Sequence, residues 1–165
     1  MSFTINLEHI GDIVEQVVDD LELKKISKGR SFSAAGMKEI EELHARLMAS
    51  LRLGMNVFLN ADLRSAQMLL GQKTDFRNLE RAYARTHLER LAWQTPESIE
   101  TSSLHLDIIN DFRRINSHIC SIAYPILEEA GVLARTRLKT DAAEPSEERA
   151  APIADNGSWQ KRKPA

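Results

Sequence analysis

From Thr101 to Ile126 the chain places a seam residue at every third or fourth position: Thr101, Leu104, Ile108, Phe112, Ile115, Ile119, Ile122 and Ile126. Steps of three and four trace one narrow stripe along a helix. Over residues 99–129 that helix would be about 46 Å long at 1.5 Å rise per residue. A rod of this length with so narrow an apolar seam is half of a structure, because the seam needs partner helices of similar length. The feature therefore predicts an all-α, elongated antiparallel bundle. Thr95-Pro96-Glu97 gives the helix a start: a hydroxyl N-cap, proline at the first helical position and an acid in the first turn. Gly131 gives it a stop. Pro125 has no N–H to offer Ser121, so a kink is expected near Ser121.

Three further segments supply the partners. Residues 3–25 carry Phe3, Leu7, Ile10, Val14, Val17 and Leu21 in the same rhythm, ended by the basic, glycine-containing run Lys24–Arg30. Residues 33–59, opened by Ser33 or Ala34, carry Met37, Ile40, Leu43, Leu47, Leu51, Met55 and Phe58. Gly54 within them costs about 1 kcal/mol relative to alanine, which reads either as close backbone packing or as a tolerated loss. Asp62 is placed to cap the next helix, residues 62–93, with Ala66, Leu69, Leu70, Phe76, Leu79, Tyr83 and Leu91 inward. Gly71 is a weak point in that helix. Arg77, Glu80, Arg81, Arg85, Glu89 and Arg90 read as its solvated face. Residues 1–138 then form one domain. Residues 139–165, rich in Ala, Glu, Pro and Ser without an apolar period, are expected to be a disordered tail.

Composition excludes several classes. A chain of 165 residues with 42% hydrophobic and 28% charged residues can bury a core. A formal charge of −2 and a pI near 6.2 give no nucleic-acid footprint. Cys120 is the single cysteine, so no internal disulfide forms and a packed thiol in a reducing compartment is expected. No stretch approaches 18 apolar residues and the N-terminus shows no signal-peptide pattern, so the chain is not expected to cross a membrane.

The two ends of the helical part repeat one another. Leu7-Glu8-His9-Ile10-Gly11-Asp12-Ile13-Val14 aligns with Phe112-Arg113-Arg114-Ile115-Asn116-Ser117-His118-Ile119, and the register continues through Val17 on Ile122 and Leu21 on Ile126. Leu7-Glu8-His9-Ile10-Gly11-Asp12 closely resembles the L-E-R-I-G-D signature of PhoU-type proteins. Phe112–His118 resembles its second copy as it stands in the cytosolic PhoU-like domain of bacterial sodium/phosphate cotransporters. The resemblance covers roughly residues 3–130. It implies that the chain holds the last helix of one three-helix repeat and all of a second, as the C-terminal piece of such a transporter. It further implies a non-catalytic regulatory domain on the cytosolic face of the inner membrane, tuning sodium-driven phosphate uptake or homeostasis. The implied partner is the membrane transport domain or a phosphate-signalling protein, with at most weak self-association.

Glu8 and Asp12 are four residues apart, so their carboxylates share one helix face and could ligate a divalent or iron-type metal ion. The resemblance implies the same role, since PhoU-type proteins bind metal clusters through such pairs. The second copy departs from the pattern, with Arg113 and Ser117 in place of the acids, and only weak metal binding is expected. Asp107, Asp111, Arg114 and His118 lie on nearby turns, either as a surface charge network or as a contact surface for a partner. Glu41-x-x-His44 matches half of a di-iron bundle motif, but no second copy exists. His9, His87 and His105 stand apart without ligand spacing. No nucleophile–base arrangement or phosphate-cradling glycine loop is present, so no catalysis is expected. Two alternatives stand beside the transporter reading: a free-standing PhoU-like, metal-binding regulator of phosphate signalling, and a bundle metalloenzyme.

Overall fold

The computed structural model describes residues 3–92 and 96–133, and its elements are helices without a strand among the described residues. They are α1 (Phe3–Leu21), α2 (Ala34–Asn60), α3 (Leu63–Ala92), α4 (Pro96–Glu100), α5 (Ser102–Cys120) and α6 (Ala123–Glu129). The expected tail at 139–165, the Thr95 cap and Trp93 lie outside the described residues.

Local chemistry sets the boundaries. α1 ends in a π-helical turn, Glu22–Ile26, where Ser27 N–H reaches Glu22 O and Arg30 N–H reaches Lys25 O. Ser33 caps α2 by accepting from Gly36 N–H at 3.2 Å. Asp62 caps α3 by accepting from Ser65 N–H at 2.8 Å. Between them Ala61 takes a left-handed conformation, φ 50°, that closes α2. The long C-terminal rod is segmented rather than continuous. It bends at Thr101, whose hydroxyl donates to Glu97 O at 2.7 Å, and again at Ser121. The second break is where Pro125 puts it: Ser121 O, denied its normal donor, accepts instead from Tyr124 N–H at 3.3 Å.

Cross-helix contacts define the topology. Asn56 meets Ser65, Ser50 meets Gln72 and Glu39 meets Arg90, so α2 and α3 run antiparallel. Cys120 meets Leu69 and His87 meets Ser102, so α3 and α5 do the same. His105 touches Gly36 at one end, and a Cβ on Gly54 would touch Ile119 at the other, so α2 and α5 lie parallel and in direct contact. Three helices related in this way form an up-down-up bundle of their own. Its core is Leu43, Leu47, Val57, Ala66, Leu69, Phe76, Ile109, Ile115, Ile119, Cys120, Ala123 and Leu127. Gly54 resolves as close packing, since a Cβ there would stand 2.8 Å from Ile119 Cγ2.

α1 is an addition to this unit. It runs antiparallel to α5, against which it packs, with Asn6 near His118 and Lys24 near Asp107. Its N-terminal Phe3 ring stacks on Phe58 of α2 at 4.4 Å. The expectation that α1 packs inward through Phe3, Leu7, Ile10, Val14, Val17 and Leu21 holds in part: Ile10, Val17 and Leu21 are half-buried against the core, and Leu7 and Val14 are not. Ile13 is the buried residue of α1, while Leu7 and Val14 are 42% and 47% exposed. Because α2 and α5 already touch, the bundle has no central gap for a fourth helix to fill. The stripe on α2 also drifts: Gly36, Glu39, Ser50, Gly54 and Val57 are inside, and Met37, Met55 and Phe58 are exposed. A helix of 3.6 residues per turn cannot hold a strict 3.5-residue seam against straight neighbours.

Candidate functional site

The two copies of the repeat face each other across the α1–α5 seam. His9, Asp12, Ile13 and Gln16 of α1 and Arg114 and His118 of α5 line an open polar cavity of about 310 Å³. The periodicity that buries Ile13 turns His9 and Asp12 to its rim. The two imidazole rings come within 5.3 Å, and Asn6 Oδ1 lies 3.0 Å from His118 Nδ1. Burial lowers the His118 pKa, and the charges of His9, Arg114 and Lys73 lower it further. Arg114 donates to Asp111 at 2.8 Å.

Of the residues expected to form a contact surface, Asp111 is buried and serves to hold Arg114, while Arg114 and His118 open on the cavity. Asp107 lies apart, 3.6 Å from Lys24 near the other end of α1. Glu8 and Asp12 are both exposed on α1, with Asp12 at the cavity. No three His, Cys, Asp or Glu side chains among the described residues are grouped so as to hold a metal ion. A metal at Glu8 and Asp12 would have those two carboxylates and water for ligands.

A second polar cluster, at the opposite end of the bundle, is enclosed. Glu39 accepts two hydrogen bonds of 2.6 Å from the Arg90 guanidinium. His105 stacks on His87 at 4.5 Å, and His87 Nε2 lies 2.9 Å from Ser102 Oγ. His105 Nε2 sits 3.3 Å from Gly36 O and 3.2 Å from Glu39 Oε2, two acceptors that require the proton on Nε2. Its Nδ1 is buried without a partner among the described residues, as fits a neutral ring. Burial, with the neighbouring His87, pulls the His105 pKa down to about 4 against the opposing pull of Glu39. At neutral pH the Glu39–His105 contact is thus a hydrogen bond, and the ion pair of the cluster is Glu39–Arg90. Helical spacing alone puts Arg90 on a solvated face and leaves the histidines unconnected; here Arg90 pairs with Glu39 and His87 stacks on His105. The available signal was three buried-type positions on three helices, Glu39, His87 and His105, each flanked by seam residues at helical spacing.

The third feature is apolar. Ile10, Val14, Val17 and Val18 of α1 and Leu47, Met48 and Leu51 of α2 face each other over Phe112, Ile115 and Ile119, around a groove of about 250 Å³. His44 lines it too. The side chain that suggested half of a di-iron motif thus borders an apolar wall.

A family description, "PhoU domain", matches residues 40–126. Curated relatives include the protein named "Putative inorganic phosphate export protein YjbB" in Escherichia coli strain K12 and in Escherichia coli O157:H7. Each is 42% identical over 129 residues, which make up 78% of this chain and 24% of the relative. The protein of the same name in Salmonella typhimurium is 41% identical over the same length. The chain thus spans about a quarter of the length of these relatives. No solved structure matches it significantly.

Proposed function

Because this chain belongs to the PhoU domain family, we propose that it is a regulatory, non-catalytic domain acting on a sodium-coupled phosphate transporter at the cytosolic face of the membrane, with a role in phosphate homeostasis. No described helix is long and apolar enough to cross a membrane, so in this reading transport belongs to the large remainder that the relatives possess. The observation that carries the proposal is the two-sided α1. One side is anchored on α5 through Ile13, and the other presents Leu7, Val14 and Val18 beside an apolar groove. Among the described residues, the three-helix core closes without that side. We assign it to contact with the rest of the transporter.

The test supplies this chain in trans to the Escherichia coli relative from which the matching 129 residues have been removed. Labelled phosphate flux is measured in both directions in membrane vesicles, with and without a sodium gradient. Flux that depends on sodium and changes several-fold with the chain supports the reading. The Val14→Asp, Val18→Asp double variant should lose that effect and no longer sediment with the vesicles. Flux indifferent to the chain, or to sodium, overturns it.

A further inference from the structure

The repeat reverses its charge between copies, and the structure shows where the reversal leads. Glu8, Gly11 and Asp12 of the first copy correspond to Arg113, Asn116 and Ser117 of the second. On α5 these three line a cleft of about 240 Å³ together with Lys73, Phe76 and Arg77 of α3. Lys73 and Arg77 are four residues apart, as are Arg113 and Ser117. Each pair shares a helix face, and the two helices run antiparallel. Three cations therefore converge on one cleft, and no carboxylate lines it.

None of the three forms an ion pair among the described residues. The basic groups that do are Lys24, Arg46, Arg85, Arg90 and Arg114. Asp75, on the same turns of α3, lies in a separate cleft with Arg46, and Asp111 is taken by Arg114. Lys73 is held in place by Tyr124, whose hydroxyl is 3.1 Å from its Nζ and whose ring lies 5.2 Å away. Arg113 is steadied by Asn110 Oδ1 at 2.7 Å. Asn116 is 2% exposed, yet its Oδ1 is enclosed without a partner among the described residues. A buried amide left unsatisfied costs on the order of 1–3 kcal/mol, so it marks a place where a ligand group belongs.

We propose that this cleft is an oxyanion site for a phosphate group, either free inorganic phosphate or the phosphate of a lipid headgroup. Two guanidinium groups and an ammonium supply charge-assisted donors, and guanidinium matches the geometry of phosphate oxygens. Hydrogen phosphate, which keeps one O–H as a donor, also suits an enclosed amide oxygen that lacks one. The preference for phosphate over other oxyanions rests on the phosphate reading above; the presence of an anion site rests on the cleft alone.

The full chain is titrated calorimetrically at low ionic strength with inorganic phosphate, with sulfate, and with phosphatidylglycerol vesicles beside neutral phosphatidylcholine ones. Saturable phosphate binding that weakens at least tenfold in Arg113→Gln and in Lys73→Gln, and is unchanged in Arg85→Gln, supports the proposal with free phosphate as ligand. Vesicle binding lost in the same two variants, without phosphate binding, supports it with lipid as the source. Sulfate binding equal to phosphate binding overturns the phosphate preference. Absence of binding in every arm, or binding that both variants retain, overturns the site itself. Neither result bears on the flux experiment, so the two readings fail separately. Thermal melts of the variants should match the parent chain, since the three cations lie at the cleft rather than in the apolar core.

Discussion

Single residues divide sharply by what surrounds them. Gly54→Ala should destabilise the chain by about 1–3 kcal/mol, since the methyl group would press on Ile119 and overpacking outweighs the gain in helix propensity. Gly71→Ala meets nothing within 4 Å and should stabilise it by about 0.5–1 kcal/mol. Urea unfolding of the two variants should give opposite signs. Arg90→Ala strands the buried Glu39 carboxylate and should cost about 3–5 kcal/mol. A smaller loss would mean that water reaches Glu39. The same cluster sets a pH dependence. Folding keeps His105 neutral, whereas the unfolded chain takes up a proton near pH 6.5. Stability is therefore full above that pH and is lost as the pH falls from 6.5 towards 4. The loss should be about 3 kcal/mol, with His87 lowered in the same direction. Chemical denaturation across this range should show the slope in the parent and a flatter one in His105→Gln. The solvent-exposed pair Glu8 and Asp12 should bind magnesium, zinc or iron only weakly after chelator treatment, and Glu8→Ala with Asp12→Ala should abolish what remains. Tight stoichiometric binding would favour the free-standing metal-binding regulator instead.

At the scale of elements, α1 is the helix whose sequence and position disagree. Its seam is as regular as that of α5, yet half of it faces a groove because α2 already lies against α5. Val14→Asp should accordingly cost less than about 1 kcal/mol, while Ile13→Asp should cost several, since it buries an unpaired charge against α5. Equal losses in a thermal melt would mean that α1 is buried on both sides in solution. The segmented C-terminal rod reflects one residue. Restoring the backbone donor with Pro125→Ala should let Ser121 bond in the normal i to i+4 pattern and join α5 to α6, seen as added helicity by circular dichroism.

For the whole molecule, the consequence is an asymmetric bundle: three helices that satisfy one another and a fourth that satisfies itself on one side only. Three surfaces are thereby left facing outward: the apolar groove of α1 and α2, the histidine-lined cavity of α1 and α5, and the cationic cleft of α3 and α5. They lie around a common α5, which carries the second copy of the repeat. Arg113 and Ser117 of that copy line the cationic cleft and Arg114 and His118 the histidine-lined cavity, on two sides of α5, with Asn116 buried at the cleft.

Length and spacing of apolar residues determined that the described residues are helical, how many long helices they form, where Asp62 and Ser33 start two of them and where Pro125 interrupts the last. These are local properties, set by side-chain period, capping chemistry and a missing N–H. The signature repeat also carried the family. What neighbours each seam was decided only in three dimensions, because a stripe on a helix states that it must be covered and not by what. The same periodicity placed Ile13 inside and left Val14 in the groove, and gave Gly54 its close contact with Ile119. It could not bring His87 to His105, nor Lys73 and Arg77 to Arg113, since residues 18 to 40 apart on different helices meet only through packing.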